Sequence, residues 1–176
     1  MSDRAPRRVL LTAIAILCAT AILRPQISSA LVVRGDDLAY GGQSARARRM
    51  YGRAIALDRD NAAAVDRLAF SETISHLPAL LRAATAVTSR YLSRHPHDVT
   101  VLGDRALALE LLGNYTSAER DFALAGHLSR DVQSLTFAGF AALHARSAVR
   151  ARKLFADALR VDSTYEPALR GFNRAR

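Results

Sequence analysis

Between Leu102 and Leu128 the apolar positions fall at 102, 106 and 109 and then, after a polar Gly113-Asn114-Tyr115 break, at 118, 122, 125 and 128. Spacings of three and four put each set on one face of an α-helix, so this stretch predicts two amphipathic helices joined by a tight turn. The order recurs. Ala47, Tyr51, Ala54 and Leu57 repeat the second half, as do Ala151, Phe155, Ala158 and Val161. A weaker copy reads Ala84, Thr88, Tyr91 and Arg94 ahead of Pro96. Third members at 54, 91, 125 and 158 lie 37, 34 and 33 residues apart. No strand-like alternation competes, so the chain is expected to be all-α, with about four stacked hairpins.

Residue size follows the same frame. Gly35, Ala69, Ala106 and Gly139 fall midway along the first helix of each pair, where a small side chain lets helices approach closely. Tyr51, Phe122 and Phe155 are placed to fill the space opposite. Gly41-Gly42 and Gly113-Asn114 read as turns. Thr116 with Glu119, and Ser163 with Glu166 before Pro167, have capping-box spacing. Pro78 suits the first turn of a helix, and the extra residues Ser75-His76-Leu77-Pro78 account for the offset of 37. Glu166 to Arg176 reads as a short polar helix closing the open end of the stack.

This period and residue order resemble the tetratricopeptide repeat family, helix-turn-helix units that stack into a superhelix. The resemblance covers roughly residues 28–165, strongest in the third repeat and weakest in the second. It implies a repeat domain, expected over 28–176 behind a leader over 1–27. The sequence departs from the family pattern in having no Trp, with Leu31, Val65, Leu102 and Leu135 at the bulky early position. Only Pro96 keeps the closing proline; Arg59, Arg130 and Ser163 replace it elsewhere.

In such arrays the first helices line a groove. Carried onto this chain, the resemblance implicates Asp66, Phe70 and Ile74, then Leu107, Glu110 and Leu111, then Thr136, Phe140 and His144. Phe70 and Phe140 are equally compatible with the core. An apolar groove with acidic groups suits a helical or extended peptide with apolar anchors. The Lys and Asn of the carboxylate-clamp variant are absent: those positions hold Val32 and Asp36, Asp66 and Phe70, Gly103 and Leu107, Thr136 and Phe140.

Arg4, Arg7 and Arg8 precede an uncharged apolar run from Val9 to Leu23, closed by Arg24-Pro25. A basic flank followed by an apolar stretch is the grammar of an export signal or a signal anchor. The expectation is a retained anchor in a bacterial inner membrane with the array outside the cytoplasm. Cleavage after Ala21 or Ala30 is the alternative, and an extra apolar helix packed on the first repeat is the third possibility. Cys18 lies inside the run, after Leu17 rather than the small residue a lipoprotein site needs, and as the lone cysteine it permits no internal disulfide.

The net charge is +9, with 25 Lys and Arg against 16 Asp and Glu. Arg46, Arg48, Arg49 and Arg53 cluster at the start of one helix, read either as headgroup contacts near the membrane or as a solvated face. Basic residues do not interleave with aromatics, so no nucleic-acid platform is expected. His95-Pro96-His97-Asp98 carries ligand types but sits where one repeat turns into the next, and a plain loop is expected there. No nucleophile–base set or phosphate loop stands out, and neither cofactor nor metal is expected. The expected function is a non-enzymatic, membrane-tethered protein–protein scaffold supporting an envelope or secretion complex. A cleaved periplasmic repeat protein binding a peptide or glycan is the alternative. A small subunit of an enzyme complex is a further class.

Overall fold

Every segment with the three-and-four spacing is helical. The computed structural model describes residues 4–175, with side chains from residue 20 onward. Among them the elements are α1 (Arg4–Tyr40), α2 (Ser44–Leu57), α3 (Ala62–Thr73), α4 (Pro78–Leu92), α5 (Val99–Leu111), α6 (Tyr115–Ser129), α7 (Val132–His144), α8 (Ala148–Val161) and α9 (Glu166–Arg174). No strand occurs among the described residues. The chain forms two compact units, Met1–Ala64 and Val65–Arg176.

In the first unit α1 and α2 form a hairpin. Gly42 sits at φ 73°, a left-handed conformation that glycine adopts without Cβ strain, and this reverses the chain at Gly41-Gly42. Gly35 lets the Tyr51 ring lie directly on α1: a Cβ there would stand 2.3 Å from Tyr51 Cε1. The Tyr51 hydroxyl then donates to Asp36 Oδ1 at 2.8 Å. Ser28 is fully buried, donates to the Ala54 carbonyl at 2.9 Å and accepts from Asn61 Nδ2 at 2.7 Å. These bonds tie the end of α2 to the middle of α1.

The expected break between a leader ending at 27 and a repeat domain starting at 28 is not a break in secondary structure. Pro25 lies inside α1, which runs on through it to Tyr40. Residues 21–27 are exposed, Ile22, Leu23 and Ile27 among them.

The second unit carries the larger core. Ala106, Ala118, Phe122, Leu135, Ala138, Phe155, Ala158 and Ala168 are all buried within it. Small residues set the approach distances: a Cβ on Gly139 would stand 2.5 Å from Phe155 Cε1, and one on Gly171 would stand 2.3 Å from the same atom. Phe155 is therefore held between α7 and α9. Helix α9 packs on α7 and α8, matching the expected closing helix.

Helix ends agree with the pattern in part. Pro78 opens α4, and His76 at φ 54° makes the preceding turn, which accounts for the longer second repeat. Gly113 at φ 78° turns α5 into α6. The two expected capping boxes do not form. Helix α6 starts one residue before Thr116, with Asn114 at its cap, and α9 has Tyr165 at its cap rather than Ser163. Aspartates cap instead where a repeat begins. Asp98 accepts from the Val101 amide at 3.1 Å, and Asp131 accepts from the Ser134 amide at 2.7 Å. Burial raises the Asp131 carboxyl, but the Ser134 hydroxyl and the Gln133 and Ser134 amides outweigh it and hold the group below the usual carboxylate range.

Candidate functional site

Polar side chains lie along three first helices of the second unit, α3, α5 and α7. On α5 the Oδ2 of Asp104 is buried without a hydrogen-bond partner. Glu110 Oε1 on α5 stands 3.6 Å from His144 Nδ1 on α7. Beside these groups lie exposed apolar side chains. Phe70 and Ile74 on α3 are 51% and 53% exposed, and Leu107 and Leu111 on α5 are 40% and 41% exposed. Each pair is four residues apart, so each forms a one-turn stripe on its helix.

Most of the residues expected at a groove thus lie on this face, but two on α7 do not behave as expected. Thr136 is 2% exposed and its hydroxyl donates back to the Val132 carbonyl at 2.7 Å, so it offers nothing to a partner. Phe140 is half-buried and meets Phe155 edge to face, with centroids 5.1 Å apart. Phe137 is the exposed aromatic instead, leaning on the Phe122 ring at 5.6 Å. The one-residue deletion expected near the turn after α7 is not there: α5 and α7 are the same length, each is followed by a three-residue turn, and the two match at an offset of 33 throughout. Of the two aromatics compatible with either groove or core, Phe70 is half exposed and Phe140 packs against the core.

The polar groups have distinct electrostatics. Burial raises the Glu110 carboxyl above its usual range, and the nearby His144 partly offsets this. The imidazole is itself held by the Tyr115 ring, tilted over it at 4.9 Å. Asp104 is pushed up to about 8, first by burial and then by the charge and hydrogen bond of Asp66, with Asp98 adding to it and Arg67 opposing. Arg67 itself pairs with Asp66 at 2.9 Å. Asp104 was not singled out from the sequence. An acid three residues before Leu107 on the same helix face was the available signal.

Other candidate segments resolve differently. Asp98, the carboxylate of the His95-Pro96-His97-Asp98 segment, is the α5 cap and accepts the Tyr91 hydroxyl at 2.9 Å. His95 stacks on Tyr91 at 4.5 Å. Among the described residues no group of three or more His, Cys, Asp or Glu could hold a metal.

The start of the arginine cluster on α2 lies at the far end of α1 from the apolar leader. The Gln43 amide bonds to the Leu38 carbonyl, which ties the start of α2 to the end of α1 farthest from the leader. Leu23 and Leu38 are separated by about 22 Å of helix at 1.5 Å per residue. Arg46, Arg49 and Arg53 are exposed along α2, and Arg48 is half-buried. Among the described residues no helix is long and apolar enough to cross a membrane. The run Val9 to Leu23 lies mostly outside the residues whose side chains are described, as does Cys18.

No family model matches the sequence, and no match is found among curated proteins. Solved structures do match. A tetratricopeptide repeat protein from Parabacteroides merdae aligns with 85% of this chain and 59% of its own, at TM-score 0.72 and 19% identity. This chain therefore spans less than two thirds of that protein's length. The protein pilF of Pseudomonas aeruginosa aligns with 86% of this chain and 68% of its own, at TM-score 0.66 and 17% identity. MamA from Desulfovibrio magneticus aligns with 79% of this chain and 77% of its own, at TM-score 0.65 and 16% identity. At such identities the likeness is one of fold: the chain has an all-helical fold of the tetratricopeptide-repeat type.

Proposed function

We propose that this protein is a non-enzymatic scaffold that docks another protein, an envelope or secretion component, on the α3/α5/α7 face. The observation that carries this reading is the exposed apolar stripe of Phe70, Ile74, Leu107 and Leu111, set beside the acidic side chains of Asp66 and Glu110. Exposed apolar side chains gathered on one face mark interaction surfaces. Stripes one turn long suit a helical or extended segment with apolar anchors.

The scaffold is tethered to a bacterial inner membrane through Val9 to Leu23 and faces the periplasm. Arg4, Arg7 and Arg8 ahead of that run support the orientation. Retention of the leader is favoured over cleavage after Ala30. That cut would remove Ser28, the buried hydroxyl that ties α1 to Ala54 and Asn61.

A photo-reactive residue at Leu107 in the full chain, expressed in its own cells, tests the docking face. A discrete cross-linked protein species, lost on Phe70→Ala, is expected. No adduct from a folded, normally abundant chain would remove this face from consideration. A reporter active only outside the cytoplasm, fused to the C-terminus, tests the location. Activity in intact cells is expected, and silence from a stably made fusion overturns the periplasmic assignment.

A further inference from the structure

We propose that the groove between α8 and α9 seats an amphipathic helix of a partner protein, with an acidic side chain of that helix set against Arg152 and Lys153. Helix α8 buries Ala151, Leu154, Phe155 and Ala158 on its inner side. On its other side Val149, Arg152, Lys153 and Ala156 repeat the same spacing of three, one and three. With Phe172 of α9 these residues line a groove of about 420 Å³. Val149 is 85% exposed there, and the Arg152 guanidinium lies 4.8 Å over the Phe172 ring.

One repeat earlier the same seat is filled. Helix α8 lies against α6, where Arg150 pairs with Glu119 at 3.0 Å and Asp157 stands 3.8 Å from His127. Glu119 is left only 8% exposed. Helices α6 and α8 start 33 residues apart, and that offset carries Glu119 to Arg152, which is exposed. A helix seated on α8 as α8 is seated on α6 therefore meets a cation where α8 meets an acid. Its residue at the place of Arg150 is then an Asp or Glu, one position ahead of an apolar stripe spaced like Ala151, Leu154, Phe155 and Ala158.

The charges of α8 and α9 leave this spot positive. Arg150 is committed to Glu119, Asp157 to His127 and Arg160, and Glu166 to Arg170. Asp162 accepts from Thr164. Neither Arg152 nor Lys153 has an acidic partner among the described residues, and no acid among them lines the groove. Charge complementarity of this kind admits an acidic partner and rejects a basic one. Two cations fall short of the roughly four to eight that mark contact with an anionic membrane, and a bilayer does not enter a groove between helices.

This surface is separate from the α3/α5/α7 face, and its test needs neither that face nor its partner. The probe is a synthetic peptide of residues 147–162 carrying Arg150→Glu, which presents the α8 stripe with an acid ahead of it. A photo-reactive residue replaces Val149 in the purified full chain. Adducts with this peptide are expected, at a yield about tenfold above that of the native-sequence peptide, whose Arg150 meets Arg152. Arg152→Glu in the chain should reverse the preference, because it restores the pairing that Glu119 makes with Arg150. Equal yields for the two peptides, or a preference that Arg152→Glu leaves unchanged, overturn the proposal. So does a folded chain that forms no adduct with either peptide. Should Arg152→Glu fail to fold, the two peptides on the chain with Arg152 intact decide alone. Adducts with a second copy of the chain or with phosphatidylglycerol vesicles, and none with the peptide, give the groove another occupant and overturn it equally. Loss of cross-linking at Leu107 would leave these yields unchanged, so the two proposals fail separately.

Discussion

His144 Nδ1 on α7 stands 3.6 Å from Glu110 Oε1 on α5, with the Tyr115 ring tilted over the imidazole at 4.9 Å. The pair joins two successive first helices beside the proposed docking face, and it ties the protonation of one to the charge of the other. Burial raises the Glu110 carboxyl and His144 pulls it back. His144→Ala should therefore raise the Glu110 titration further. Carboxyl NMR titration of Glu110 in the two proteins checks the direction, and a downward shift would contradict this account of the site.

Glycines in similar helical settings should respond with opposite signs. The Phe155 ring lies between Gly139 and Gly171, so it has nowhere to move when a methyl is added from α7. Gly139→Ala should destabilise by about 1–3 kcal/mol through overpacking, less the roughly 1 kcal/mol gained in helix propensity. Gly103, inside α5, has nothing within 4 Å of a built Cβ. Gly103→Ala should instead stabilise by about 0.5–1 kcal/mol. Thermal or urea unfolding of the two variants gives the comparison.

The seam holding Phe155 was legible because it depends on a repeated size pattern at helical spacing. Gly35 against Tyr51 and Gly139 against Phe155 were both readable from the alignment of repeats. The caps were less legible: Asp98 and Asp131 each accept an amide three residues on, yet no glutamate follows at the box position to draw attention to them. On α7 the register of the repeats holds, but Thr136 is buried and Phe140 packs on Phe155, so the same positions face different surroundings there. Asp104 is raised by burial and by the charge of Asp66, 38 residues away in sequence, and helical periodicity carries no information about such an effect.

Two arginines occupy positions that favour glycine. Arg130 at φ 53° ends α6, and Arg146 at φ 57° ends the turn after α7. The left-handed conformation costs a residue with a Cβ roughly 1–2 kcal/mol, and glycine loses part of that gain through a freer unfolded chain. Arg130→Gly and Arg146→Gly should each raise stability, by up to about 1 kcal/mol in chemical unfolding. A fall in midpoint for both would mean their side chains contribute more than their backbone strain removes.

Arg105 and Asp121 form a two-pronged pair whose side chains are 24% and 11% exposed. Removing one partner from so enclosed a pair leaves a charge without compensation, so Arg105→Ala should cost about 3 kcal/mol. Replacing both with apolar side chains, Arg105→Met with Asp121→Leu, should recover most of that loss. A double-mutant cycle measures this, and additive losses would show that the two residues act independently.

The docking face and the core should separate cleanly in mutation. Phe70 and Leu107 are half exposed, whereas Phe155 is fully buried. Combining Phe70→Ala with Leu107→Ala removes apolar surface of which folding leaves about half in water, so helicity should be kept and the unfolding midpoint should fall less than for a core substitution. Phe155→Ala should cost about 3–5 kcal/mol, because it opens a cavity between α7 and α9. If the face is the binding site, the double variant loses the Leu107-region cross-links and partner recovery while its circular dichroism matches wild type. Partner recovery at wild-type level from the folded double variant would move the binding site elsewhere on the repeat array.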